Sequence, residues 1–408
     1  MKREKTGILR IALMFAVMAA ASTQPAHAKK KKPPPVASGP QVSIPFRQAM
    51  AEAQAAVTAG TPAMLRQRLN AAAGVAQAPD EKYYVGALRF KQAEPTNDRA
   101  EMRKGANEML QSGSTLLRNE TELALLSGGL AFELNDPQDA ITRMAQADRL
   151  GSKDINRFLV SAESHARLNR PAEALLMFEK ALAQEGVKPR DSWHLRAMSL
   201  ATAANQSDAV ARWGADFVRA FRTPENVRTA AFTYRDSAKS TGASLLDLSR
   251  LAVDAKGLAG ERDHLEFATA ALANGAGGEA KAVIEQGYAS GFISRASVAA
   301  KASLTKAVAK AGTERSSAVA AEKLAAKAAD GKAALSAANA WLALGDNTKA
   351  AALYRTALTK GGIDGNLASL RLGIALVRQG KNSDALASFA AVTGATKPIA
   401  LLWEAFAS

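Results

Sequence analysis

The chain has 408 residues, 48% of them hydrophobic but only 5% aromatic, with no cysteine, four histidines and a formal net charge of +15. Zero cysteines exclude a disulfide framework, a thiolate metal centre and a lipid carried on a cleavage-site cysteine. The positive charge attracts acidic partners weakly and from a distance, without nominating one.

Lys2, Arg3, Lys5 and Arg10 precede an apolar run over 11–21, and Ala26-His27-Ala28 supplies a small-x-small site. This is the pattern of a secretory signal peptide over 1–28, cleaved before Lys29. The alternative, a membrane anchor, needs roughly 20 apolar residues, and the run is shorter. The expectation is therefore a soluble protein of a Gram-negative periplasm, not a lipoprotein, with no stable membrane span after cleavage. Loss of the leader removes four basic groups and one acidic one, lowering the net charge by three to +12. Residues 29–45 follow as a basic, proline-rich disordered linker, with Lys29 to Lys32, Pro33-Pro34-Pro35 and Ser38-Gly39-Pro40. Such a composition buries no core. The lysine run is either a solvated spacer or a contact for anionic headgroups.

From Phe46 onward Ala, Leu, Arg and Glu dominate, with Gly, Pro and Asn at helix-length intervals and no alternating run of strand length. The reading is all-helical. Helices over 46–59 and 62–75, then 81–93 and 97–111, make two degenerate N-terminal hairpins within 46–115. Pro62 suits a first helical turn, where its missing N–H costs nothing. A repeat array is expected over 116–394, with hairpins over 116–147, 155–182 and 191–221. Pro137 and Pro171 open second helices. Helices over 224–239 and 242–256 form a diverged unit with Leu248 and Leu251 as its apolar face. The Ala- and Lys-rich segment is read as two further helices, 295–310 and 314–330, with few large residues to bury and hence the softest joint of the array. Ile399, Leu402, Trp403 and Phe406 share one stripe of a helix within 395–408, which either caps the last groove or serves as an adhesive peptide.

The array rests on a recurring pattern. Ala140, Ala174, Ala209, Ala280, Ala350 and Ala385 are spaced by 34, 35, 71, 70 and 35 residues. Four residues after each comes a large apolar side chain, namely Met144, Phe178, Trp213, Ile284, Tyr354 and Phe389. Twelve before comes a small one: Gly128, Ala162, Ala197, Ala268, Ala338 and Gly373. Between them stand residues suited to a left-handed helix end: Asn135, Asn169, Asn205, Gly275, Gly345 and Gly380. Ser244 replaces the alanine in the diverged unit.

Leu372-Gly373-x-x-Leu376 followed by Ala385-x-x-x-Phe389, and Ala338-x-x-Trp341 followed by Ala350-x-x-x-Tyr354, resemble the two helix signatures of the tetratricopeptide repeat family. Ala147, Ala181, Gly287 and Ala357 fit its next small position, whereas Asp216 and Val392 depart from it, and Leu376 replaces the usual Tyr. The resemblance implies an all-α solenoid of stacked antiparallel hairpins in a right-handed superhelix, whose first helices line a concave groove. Projected onto this sequence, that face selects Asn156, Glu163, Asp191, His194, Met198, Arg262, Thr269, Lys332 and Asn339, with Leu159 and Leu265 offering apolar contact.

No catalytic constellation emerges. His27 lies in the leader, and His165, His194 and His264 belong to separate hairpins without metal-ligand spacing. Gly277-Gly278 lacks the preceding strand and following GKS of a phosphate loop. Trp193 and Trp213 read as packing residues rather than stacking platforms. The expectation is a non-catalytic scaffold, without cofactor or metal, that holds a segment of another envelope or secreted protein. The alternative is an accessory protein associated with peptidoglycan or an exported polysaccharide. Nucleic acid is disfavoured by secretion and by the small-large core pattern.

Overall fold

The computed structural model describes residues 42–408; the leader over 1–28 and the linker up to residue 41 lie outside the described residues. Among these there are twenty α-helices, one 3-10 turn and no strand. Helices α1 (Ile44–Ala59) and α2 (Pro62–Val75), then α3 (Pro79–Ala93) and α4 (Arg99–Gln111), form the two leading hairpins. There follow α5 (Glu120–Glu133) with α6 (Pro137–Arg149), α7 (Asn156–Arg167) with α8 (Pro171–Leu182), and α9 (Asp191–Ala203) with α10 (Ser207–Ala220). Next are α11 (Pro224–Ser237) with α12 (Gly242–Asp254) and α13 (Gly260–Ala273) with α14 (Gly277–Ala289). A long α15 (Val298–Lys327) precedes the pairs α16 (Lys332–Ala343) with α17 (Asn347–Lys360) and α18 (Gly365–Val377) with α19 (Asn382–Ala390). A 3-10 turn (Gly394–Thr396) leads into α20 (Lys397–Ala407).

One loop chemistry closes six hairpins. Asn135, Asn169, Asn205, Gly275, Gly345 and Gly380 all have positive φ. After each, the next N–H reaches back to a carbonyl five residues earlier, as in Asp136 to Ala131 (2.8 Å), Arg170 to His165 (2.9 Å) and Lys381 to Leu376 (2.9 Å). These bonds satisfy carbonyls that a helix end leaves bare. Five of the six repeat alanines, from Ala140 to Ala385, are fully buried, and Ala209 is nearly so. Met144, Phe178, Ile284, Tyr354 and Phe389 are buried above them, but Trp213 is only half-buried. The Trp213 indole donates to Glu179 Oε1 (3.3 Å) instead of closing the core.

Arginine–carboxylate bridges one period apart tie neighbouring hairpins: Arg103 to Asp136 and Asp139, Arg196 to Glu163, and Arg228 to Asp263. At the N-terminus the buried Glu81 carboxylate accepts from the backbone N–H groups of Ser43 (2.6 Å), Gln77 (2.7 Å) and Ala78 (3.0 Å). Burial alone pushes this carboxyl up, but the three donors together hold it down at about 2.

Two features depart from the sequence reading. The two helices expected over 295–310 and 314–330 are one 30-residue helix, α15, about 45 Å long. Gly312 lies in the gap between the two expected ranges, yet it faces open space and costs its helix only about 1 kcal/mol. The buried residues of α15, Ala300, Ala307, Glu314, Ala318 and Ala325, run as one narrow seam of near-heptad spacing through both halves. The seam packs on α14 and α16, so no turn is needed. Gly277 and Gly278 permit this close crossing: a Cβ on Gly277 would stand 2.7 Å from Ala311 N, and one on Gly278 2.5 Å from Ala343 O.

The second departure concerns the end of the chain. Helix α20 packs on α19, as a cap does, but it also lies alongside α10 in the middle of the array. Leu402 meets Gly214, Arg219 pairs with Glu404 (3.3 Å), and Arg222 donates to the Ala405 carbonyl (3.3 Å). The Trp403 indole, fully buried, donates to the Asp247 carbonyl (3.0 Å) in α12. The array therefore returns on itself. Its largest core joins residues of α7 to α12 with residues of α16 to α20, while the core of α13 and α14 forms a separate cluster.

Candidate functional site

The first-helix face divides into an open part and a covered part. In the covered part, α18 turns Arg371 and Arg378 toward the middle of the array. Arg371 Nε donates to both oxygens of Asp247 (3.2 and 3.1 Å) in α12, and its Nη1 to Asn339 Oδ1 (2.9 Å) in α16. Arg378 donates to Asp254 (2.8 Å) in α12 and Glu279 (2.9 Å) in α14. Arg250 of α12 bridges Glu279 (2.6 Å) and Asp247 (2.6 Å). Three guanidinium groups thus meet three carboxylates, with Asp247 and Arg250 almost wholly buried. Burial alone pushes Glu279 up, but Arg250 and Arg378 outweigh it and hold the carboxyl at about 2. Asp254 goes the other way, raised by a burial that Arg378 does not fully offset. Seven consecutive residues of α12, Leu246 to Ala252, are buried, which marks a helix covered on all sides.

The nine residues projected onto the groove fall into three groups. Asn156, Asp191, Arg262, Thr269 and Lys332 are exposed, and Glu163 is half-exposed. Several already hold internal partners: Glu163 takes a two-bond contact from Arg196 (2.9 and 2.7 Å), Arg262 pairs with Glu266 (2.7 Å), and Lys332 pairs with Asp330 (3.2 Å). His194 and Met198 are buried and offer a partner nothing. The His194 ring is aimed at α10, where it stacks on Phe217 (5.8 Å) and meets Trp213 and Phe221 edge-on, while its Nδ1–H donates to Arg190 O (3.0 Å). Asn339 is likewise engaged within the chain, its Oδ1 accepting from both Tyr354 (2.7 Å) and Arg371.

Sequence projection missed the residues midway between those it chose. Helix positions i, i+4 and i+7 share a face, so Val160 lies between Asn156 and Glu163, and Leu195 between Asp191 and Met198. With Leu126 of α5 they form one series, each two residues before the small residue of its first helix. Leu126 and Leu195 are 37% and 42% exposed, and Val160 is half-buried. At the same position the later hairpins carry Glu266, Ser336 and Arg371, and the diverged unit the buried Ala230, so accessible apolar character there is confined to α5, α7 and α9. Arg167 braces this face, its guanidinium 3.6 Å above the Phe132 ring and its Nη1 donating to Phe132 O (2.8 Å).

Among the described residues no group of three His, Cys, Asp or Glu is placed to hold a metal ion. No helix among them is long and apolar enough to cross a membrane. A cavity of about 760 Å3 lies at the seam of the returning hairpins, between Val253, Asp254, Phe267, Val377, Arg378 and Phe406.

Six hairpins thus share a buried small residue and positive-φ closure, five of them with a buried large residue above it, at spacings of 34 or 35 residues or about twice that, the build of the tetratricopeptide type. No protein-family profile and no curated protein matches the chain. Similar solved structures include the MamA protein, at 10% identity over 58% of this chain and 96% of that one, with a TM-score of 0.28. Others are a tetratricopeptide repeat protein from Parabacteroides merdae (10% identity, 80% and 99% coverage, TM-score 0.28) and yeast Tom70 (12%, 76% and 69%, 0.27). At such scores the likeness carries no argument about this chain, and its architecture rests on its own hairpins.

Proposed function

We propose that the chain is a non-catalytic scaffold that holds a segment of another protein on the first-helix face of α5, α7 and α9. The observation that carries this reading is the series Leu126, Val160 and Leu195, apolar and accessible at one-repeat spacing. Packed helices stand about 8–10 Å apart, so a segment crossing all three meets an apolar contact on each. Charged Glu163 and Arg196 beside them fix its register more than its affinity. The partner is taken to be an envelope or secreted protein and the location the periplasm, a reading that rests on residues 1–28 alone.

The test is crosslinking in cells followed by mass spectrometry, comparing the natural chain with the double variant Leu126→Glu, Leu195→Glu. Both positions are exposed, so folding is kept. A small set of envelope proteins trapped by the natural chain and reduced at least about tenfold by the variant supports the reading. An unchanged set overturns it. Enrichment of acidic glycan alone, released by salt, would transfer the role to the chain's positive charge.

A further inference from the structure

We infer that the chamber between the middle hairpins and the returning C-terminal ones is a binding site for a small carboxylate. This chamber, of about 300 Å3, is bounded by Arg250 of α12, Lys310 and Glu314 of α15, Ser336 and Asn339 of α16, and Arg371 of α18. It lies away from the face of α5, α7 and α9 and does not depend on the scaffold reading.

The argument begins with Glu314, the one carboxyl among the lining residues and only 5% exposed. Its Oε2 accepts from the Gly278 N–H (2.8 Å), but its buried Oε1 has no hydrogen-bond partner among the described residues. A buried polar atom left unpaired costs about 1–3 kcal/mol. Burial pushes this carboxyl up against the pull of the Gly278 N–H, and Glu279 of α14 adds to the rise. Lys310 and Arg250 oppose it, Arg371 also lines the chamber, and α16 presents only the neutral Ser336 and Asn339. Raised in this way, the carboxyl takes up a proton more readily than a free one, and its unpaired Oε1 then stands as a donor without an acceptor. Beside it stand cations with capacity to spare: Lys310 at the mouth has no ion-pair partner among the described residues, and Arg371 spends Nε and Nη1 on Asp247 and Asn339.

A carboxylate satisfies both sides, with one oxygen accepting from Glu314 and the other facing a cation. A neutral amide lacks the charge. Phosphate is tetrahedral where a carboxylate is planar, so its further oxygens are turned toward Glu279 and Glu314, and it fits less well. The lining contains no aromatic ring on which a sugar would stack.

Calorimetric titration of the purified chain with succinate, inorganic phosphate and succinamide tests the assignment. Succinate is expected to bind at least about tenfold more tightly than either of the others. Ser336→Phe, at the exposed rim, fills the chamber and is expected to abolish the heat while leaving the melting temperature unchanged. Lys310→Ala weakens binding at least about threefold, as loss of a partly exposed charge should. No heat with succinate overturns the proposal, as does binding that survives Ser336→Phe. Equal affinity for phosphate overturns the carboxylate assignment. Leu126→Glu with Leu195→Glu leaves succinate binding unchanged, so failure of this site and failure of the scaffold reading remain distinguishable.

Discussion

Gly373 has no side chain because the Phe389 ring occupies the place where one would go: a Cβ there would stand 2.6 Å from Cδ1. Gly129 is the converse, with nothing within 4 Å of its would-be Cβ. Both are helical glycines, so propensity alone favours alanine at each by about 1 kcal/mol. Packing reverses the sign at one of them. Gly373→Ala is expected to destabilise the chain by about 2 kcal/mol, since overfilling a packed core displaces the ring, and Gly129→Ala to stabilise it by about 0.5 kcal/mol. Urea midpoints measure both; a Gly373→Ala protein as stable as the natural one would mean that the small-large contact is loose. This pairing was legible in the sequence because both partners lie in one hairpin, sixteen residues apart at every repeat. His194 and Met198 were misread because the projection fixed a face but not the depth of each position. His194 turns from that face into the aromatic cluster of α10.

At the scale of the element, the sequence legibly marked where helices end whenever an Asn or Gly could take positive φ. It marked them poorly where the signal was one glycine among alanines and lysines. Gly312 is such a case, and helix propagation across it needs no residue with special conformational freedom. The resulting α15 is long but thinly anchored: its buried residues are four alanines and Glu314, and Val298, Val308, Val319 and Leu324 are exposed. Helix α12 is its opposite, with Leu246, Leu248 and Leu251 buried on several sides. Local opening costs least where little apolar area is lost. Amides over 313–318 are therefore expected to exchange at least about a hundredfold faster than those over 248–252 under native conditions. Equal protection would show that α15 opens only with the whole array, and the joint would not be soft.

The closure of the whole molecule was hidden from sequence, because periodicity reports contacts between neighbouring hairpins, whereas Arg371 and Arg378 find partners 124 residues away in α12. One trace was present: at the position held by Leu126, Val160 and Leu195, the last two hairpins substitute Ser336 and Arg371, as a face turned toward an ionic core requires. Removing one member of such a buried set costs about 3–5 kcal/mol, because its partners stay buried without a counter-charge. Acid does the same to Glu279. Its carboxyl titrates at about 2 in the closed array against 4.5 when free, so its contribution is complete above about 4.5 and lost as pH falls toward 2. Asp254, raised above 3.8 by burial, works in the opposite sense: it takes up a proton more readily in the closed form, which favours closure as pH falls toward 3.8. The two opposing trends keep the array closed through mildly acidic conditions. Small-angle scattering should accordingly show a constant radius of gyration from pH 7 to about 4.5, then expansion as Glu279 protonates, before helical circular dichroism is lost. Glu279→Gln should be expanded at pH 7 and insensitive to acid over that window, since it leaves Arg250 and Arg378 without their shared carboxylate. Expansion of the natural chain already near pH 6, or a compact Glu279→Gln protein, would mean that the apolar contacts of α20 with α10, and not the ionic core, hold the molecule closed.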